Sequence, residues 1–91
     1  MKKYWTMTTE ECVSHYDYVK YHYCLYTFEA KAVNEDVLCD IRNLKLICEA
    51  YEDGEGWDQF ERTEKKFIEN YNIAYFENNE LEKAILSGEV C

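Results

Sequence analysis

From Cys12 to Val33 the apolar side chains Cys12, Tyr16, Val19, Tyr23, Tyr26, Ala30 and Val33 are spaced 4, 3, 4, 3, 4 and 3 residues apart, the interval that lines one face of an α-helix. Strict alternation, the mark of a strand with one wet face, fails over the same stretch. Lys20 and His22 interrupt the even positions, while Val19, Tyr21, Tyr23 and Leu25 occupy the odd ones. Composition pulls the other way, because Tyr, Val, Thr and Phe favour pleated surfaces. A hairpin here needs a turn, however, and residues 1–33 contain no Gly, Pro or Asn. Thr8 and Glu11 stand in capping-box spacing just ahead of the stripe. The pattern predicts one long tyrosine-rich helix over about residues 9–33.

The later segments read the same way. Asn34 suits the cap of a second helix, with Glu35 and Asp36 in its first turn, where the macrodipole favours acids. Val37, Ile41, Leu44, Cys48 and Tyr51 form its stripe and Gly54 ends it. A third helix is predicted from about Asp58 into the seventies, with Trp57, Phe60, Phe67, Ile68, Tyr71 and Tyr75 on one side. Asn79 caps a short last helix, ELEKAILS, closed by Gly88. The expected architecture is all-α: one domain over residues 1–91, a small bundle of three to four helices with a long tyrosine-rich first helix. No internal repeat or linker divides it.

On that helix a second apolar stripe, Tyr18, Tyr21, Leu25, Phe28 and Ala32, lies well round the cylinder from the first. A helix with two apolar faces must cover both. Either neighbouring helices of the bundle do so, or one face meets another molecule. Helix 2 repeats the question with Cys39, Leu46, Ile47 and Ala50.

Composition sharpens this picture. Hydrophobic residues make up 47% of the 91 and aromatics 16%, enough to fold a single small core despite the charge. Five cysteines, an odd number with no close C-x-x-C pair, in a chain with three Gly and no Pro, argue for free thiols in a reducing cytoplasm rather than a disulfide scaffold. No apolar run follows Lys2 and Lys3 to make a signal peptide, and none approaches the roughly 20 residues of a membrane span. The expected setting is cytoplasmic, a host cell's cytoplasm if the source is a phage.

Net charge is −9 and its placement is uneven: residues 1–33 hold four Lys against four acids, while residues 34–91 hold six bases against fifteen acids. Such a surface repels phosphate backbones and anionic membranes and attracts basic proteins. Glu49, Glu52, Asp53, Glu55 and Asp58 are five acids within ten residues, and Glu61 and Glu64 continue the run. Glu49, Glu52 and Asp53 would end helix 2, where negative charge is unfavourable by roughly 0.3–1 kcal/mol each. Stability alone would not choose them there. Glu64 falls in the middle of the predicted aromatic face of helix 3.

Other chemistries fail on spacing. An EF-hand loop starting at Glu49 places Gly54 sixth but Tyr51 third and Phe60 twelfth, where oxygen ligands are required. On one helix Cys12 and His15 could share a metal, but His22 lies roughly 10 Å further along the axis and Cys24 points elsewhere. Ser14, His15 and Asp17 are near neighbours on one element and cannot converge as a triad. Neither cofactor, metal site nor enzyme activity is expected.

In size, charge and lack of catalytic motifs the chain resembles the small acidic proteins with which phages and mobile elements block nucleic-acid-handling machinery, such as anti-restriction and anti-CRISPR proteins. That likeness implies an inhibitor that binds a basic, nucleic-acid-binding protein by charge mimicry. The contact would run through Glu49, Glu52, Asp53, Glu55, Asp58, Glu61 and Glu64, extended by Tyr18, Tyr21, Leu25 and Phe28. The alternative is a structural or regulatory module that homodimerises through the tyrosine-rich helix face.

Overall fold

The structure, a computed structural model, describes residues 2–13, 19–31, 41–52, 54, 56–70 and 72–88. In chain order these form β1 (Lys2–Val13), β2 (Val19–Ala30), β3 (Arg42–Tyr51), α1 (Trp57–Glu69), β4 (Ala74–Tyr75) and α2 (Asn79–Ser87). The strands make one mixed sheet in the order β3-β2-β1-β4. Antiparallel pairing joins β1 to β2 and β2 to β3, and β4 lies parallel to β1.

The predicted all-α bundle is therefore wrong: the architecture is a mostly β sheet carrying two helices among the described residues. The expected helix over residues 9–33 is replaced by β1 and β2, paired without interruption from Lys2↔Ala30 to Val13↔Val19. Residues 14–18, between them in the chain, lie outside the described residues, and a connection of five residues does not depend on Gly or Asn as two-residue turns do. The second predicted helix is also overturned, because Arg42–Tyr51 is β3. Its proposed cap, Asn34, lies outside the described residues.

Alternation misled because the central strands are dry on both sides. Tyr4 and Trp5 are neighbours on β1 and so point to opposite faces, yet they are only 7% and 4% exposed. Leu25 at 0% and Phe28 at 1% repeat this on β2. Tyr4, Phe28 and Ala30 pack with Leu81 and Ile85 of α2 and with Phe76. On the other face Trp5 and Leu25 pack with Phe60, Trp57 and Phe67 of α1 and with Ala50 of β3. A strand covered on both faces reads as a continuous apolar run rather than an alternating one. Buried Thr6, Thr8 and Thr27 fill the remaining positions, and among the described residues no buried side-chain nitrogen or oxygen lacks a hydrogen-bond partner.

The strand β3 is irregular. Its register against β2 shifts between Leu25 and Tyr26 and again between Thr27 and Glu29. At the second shift Asn43 has φ 57°, a left-handed conformation that Asn tolerates better than most residues. Its side-chain amide donates to Glu29 Oε2 at 2.8 Å and holds the bulge.

The helices follow local chemistry more closely. Gly56, at φ 84°, precedes α1, and Asp58 lies in its first turn. This helix ends at Glu69, short of the predicted seventies, where Ala74–Tyr75 pairs with β1 instead. The last helix is borne out almost to the residue: Asn78 rather than Asn79 is the cap, its side chain accepting from the Leu81 amide at 3.0 Å. Gly88, at φ 79°, closes it by donating to Ala84 and Ile85 carbonyls. Glu82 of α2 accepts from the Thr9 amide at 2.9 Å, tying the helix to β1 beyond the short β4.

Phe60 is the main link between α1 and the sheet, so Phe60→Ala is expected to cost about 3–5 kcal/mol in urea unfolding. That is a large part of the total stability of a domain this size. Ile68→Ala, at a residue 62% exposed on the same helix, should change stability by less than about 0.5 kcal/mol.

Candidate functional site at the acidic end of the sheet

The strand register sorts charge along the sheet. At one end stand Lys2, Lys3, Lys31, Arg42 and Lys45, with Glu29 among them. At the other end Glu10 pairs with His22 and Glu11 with Tyr21. There Glu49 pairs with Cys24 and Tyr51 with His22, and the Glu52 amide extends the ladder by donating to the Tyr21 carbonyl at 3.0 Å. Glu10, Glu11, Glu49, Glu52 and Tyr51 are exposed, and Tyr21 and His22 are half-buried. Lys20 is the one base that the described part of this end presents. The Tyr21 hydroxyl donates to Glu11 Oε1 at 3.4 Å.

Within this end His22, Cys24 and Glu49 converge. His22 and Cys24 are two apart on β2 and so share a face, and Glu49 is the cross-strand partner of Cys24. The Cys24 sulfur lies 3.8 Å from His22 Nε2 and 3.9 Å from Nδ1, and its thiol donates to Glu49 Oε2 at 3.9 Å. Glu49 Oε2 is also 3.5 Å from His22 Nε2. The Tyr51 ring stacks on the imidazole with centroids 4.7 Å apart and planes at 25°.

Burial pushes the Cys24 thiol above its ordinary pKa; a hydrogen bond from Thr8 opposes this, and the Glu49 carboxylate adds to it. Tyr26 is raised for the same first reason, burial, with the neighbouring Cys24 and Glu49 adding to it. The arrangement does not suit a cysteine nucleophile. In a Cys-His-carboxylate relay the base faces sulfur with one nitrogen and the carboxylate orients it through the other. Here the sulfur is nearly equidistant from both ring nitrogens, so neither is singled out to face it while Glu49 orients the other, and burial disfavours the thiolate.

The residues expected to carry function are dispersed. Glu49 and Glu52 belong to the acidic end, with Tyr21 beside them. Asp58 and Glu61 lie on the exposed side of α1, where Arg62 and Lys65 share their groove, so that surface is of mixed sign. Glu64 lines a separate open groove of about 560 Å³ with Trp5, Met7, Phe67, Ile73 and Tyr75; one carboxylate on an apolar wall offers no convergent catalytic set. Leu25 and Phe28 are core residues on opposite faces and present no surface. Tyr18, Asp53 and Glu55 lie outside the described residues, as does His15.

Helical spacing also separated groups that the sheet joins. Reading residues 19–30 with a period of two places His22 and Cys24 side by side, a signal present in the sequence. Glu49 could not be found that way, because its place depends on the register of β3. Cys12, Cys24 and Cys48 are free thiols. Among the described residues no helix is long and apolar enough to cross a membrane. No family model, curated protein or solved structure matches the chain.

The raised thiol has a consequence for stability. The native state keeps a proton on Cys24 that the unfolded chain releases near the ordinary value of 9.0, so this contribution is fully present below that pH and is lost as pH rises through the native value. Thermal melts from pH 7 to 10 should show stability falling at the alkaline end, with a shallower fall in Cys24→Ala. Some slope should remain in that variant, because Tyr26 and Tyr75 are raised too.

Proposed function

We propose that this chain is a non-enzymatic binding protein that engages a basic, nucleic-acid-binding partner through the acidic end of its sheet. The observation that carries the reading is the clustering of Glu10, Glu11, Glu49 and Glu52 beside Tyr21, Tyr51 and His22. Glu10 and Glu11 on β1, and Glu49 on β3 with Glu52 just beyond its end, flank β2 on either side, two strand spacings or about 9–10 Å apart, so two pairs of carboxylates frame Tyr21 and His22. Tyrosines beside them add rigid contact area with a hydrogen-bonding tip, a combination enriched at protein interfaces. Opposite charge speeds encounter, and a partner that ordinarily binds phosphates meets a competing set of anions. Two acids of the proposed contact, Glu10 and Glu11, come from β1 rather than from the run at 49–64.

Self-association is a second reading, favoured by a different observation. Among the described residues β3 is an edge strand, and Leu46, Ile47 and Tyr51 on it are exposed. The tyrosine-rich helix face expected to mediate a dimer does not exist; a second copy would pair along the β3 edge instead. The register shifts on β3 and the charges of Arg42 and Lys45 work against such pairing, since bulges and edge charges discourage it.

Replacing Glu10, Glu11 and Glu52 together by Lys is expected to abolish capture of partner proteins from the native host's cytosol while leaving the circular dichroism spectrum unchanged. Captured proteins should also be released by added duplex nucleic acid and by high salt. The same captured set with the triple variant would remove the proposal. Sedimentation at several concentrations tests the second reading, for which a concentration-independent monomer is the disproof.

A further inference from the structure

We propose that His22, Cys24 and Glu49 form a binding site for a single thiophilic divalent cation of the zinc type, with its fourth position open to water. The three donor atoms Nε2, Sγ and Oε2 form a closed triangle with sides of 3.8 Å, 3.9 Å and 3.5 Å. Around tetrahedral zinc, with bonds of about 2.3 Å to sulfur and about 2.0–2.2 Å to nitrogen and oxygen, the corresponding separations are about 3.4–3.6 Å. Each side of the observed triangle is thus within a few tenths of an ångström of the ligated spacing. The point equidistant from its corners lies about 2.2 Å from each, a coordination distance.

The donor chemistry matches as well as the spacing. Sulfur, imidazole nitrogen and carboxylate oxygen together suit a borderline metal of this kind, and three protein ligands leave a fourth place for solvent. The ligands also sit on a rigid support, since His22 and Cys24 share one face of β2 and Glu49 is fixed opposite Cys24 by the β2–β3 register. Thr8 hydrogen-bonds the sulfur in the manner of an outer-shell donor to a thiolate. The Tyr51 ring stacked on His22 confines the imidazole from one side.

Two changes accompany binding. The sulfur is now nearly equidistant from both ring nitrogens, so the imidazole turns about its Cβ–Cγ bond to aim one lone pair at the ion. The Cys24 S–H proton passes to solvent as the sulfur–metal bond forms, and the Glu49 oxygen exchanges a thiol hydrogen bond for a metal bond. Ion binding neutralises the bare negative charge of Glu49, since the dication, the thiolate and the carboxylate sum to zero, while the acids used to test partner binding, Glu10, Glu11 and Glu52, are not ligands. The two proposals therefore stand or fall separately.

Titrating the metal-free full chain with Co²⁺ under reducing, anaerobic conditions tests the site. One ion per chain should bind with a thiolate-to-cobalt charge-transfer band in the near ultraviolet and be displaced by Zn²⁺. A variant retaining Cys24 as its only cysteine should keep the band, and Cys24→Ser should lose it with at least about a hundredfold weaker binding, as expected for loss of the sole sulfur ligand. His22→Ala and Glu49→Gln, at more exposed positions, should weaken binding at least about tenfold with an unchanged circular dichroism spectrum. Zn²⁺ should raise the melting temperature of the parent chain and not that of His22→Ala. A band that survives Cys24→Ser, or a folded chain that binds no Co²⁺, overturns the proposal.

Discussion

Covering β1 and β2 on both faces is the constraint on which the rest of this molecule depends. A short sheet with one wet face could be built from alternating residues, but here adjacent positions such as Tyr4 and Trp5 are both withdrawn from water. Each face needs its own cover, and α1 and α2 supply one each. Burying a large apolar side chain contributes roughly 1.5–3 kcal/mol, so Leu25, Phe28, Phe60 and Leu81 together outweigh any local preference of the chain. The dense aromatic content is a direct consequence, because thin layers filled by few residues need large ones.

The same pairing governs the electrostatics. Antiparallel strands bring the start of β1 beside the end of β2, and the end of β1 beside the start of β2. Lysines near the N-terminus therefore gather with Lys31, Arg42 and Lys45, and Glu10 and Glu11 gather with Glu49 and Glu52. A net charge that looked segregated along the sequence is instead segregated along the strand axis. On α1 acids and bases are interspersed, so the run of acids extending through Glu61 and Glu64 dissolves into a mixed surface.

Register also decides which side chains can act together. His22 and Cys24 are brought to one face by the two-residue repeat of a strand, and Glu49 joins them from 25 positions away along the chain. The cluster lies at the boundary between the buried sheet and the acidic end: its sulfur is protected from solvent and its carboxylate is open. Partner binding by the acids and ion binding by the cluster would occupy one end of the molecule, which makes the metal state a natural modulator of the charge that end presents.

What the sequence by itself determined was local. An Asn cap and a closing Gly delimit α2 because those residues satisfy helix ends through their own side chain or backbone freedom. The aromatic spacing of Trp57, Phe60 and Phe67 marked α1 for a related reason, since a helix packed on one side keeps its period. The excess of acids was equally legible, and of the core Phe60 and Ala30 were, whereas helical spacing assigns Leu25 and Phe28 to a contact surface and both are buried. The state of the described residues between 9 and 51 was decided only by tertiary structure. Two-sided burial erased the alternation that signals a strand, leaving spacings that a helix fits as well, and the β-forming preference of Tyr, Val, Thr and Phe was the one local cue that pointed the right way. The meeting of Glu49 with His22 and Cys24 was likewise beyond the sequence, because it follows from the register of β3 on β2, which is set by the pairing and bulges of the whole strand.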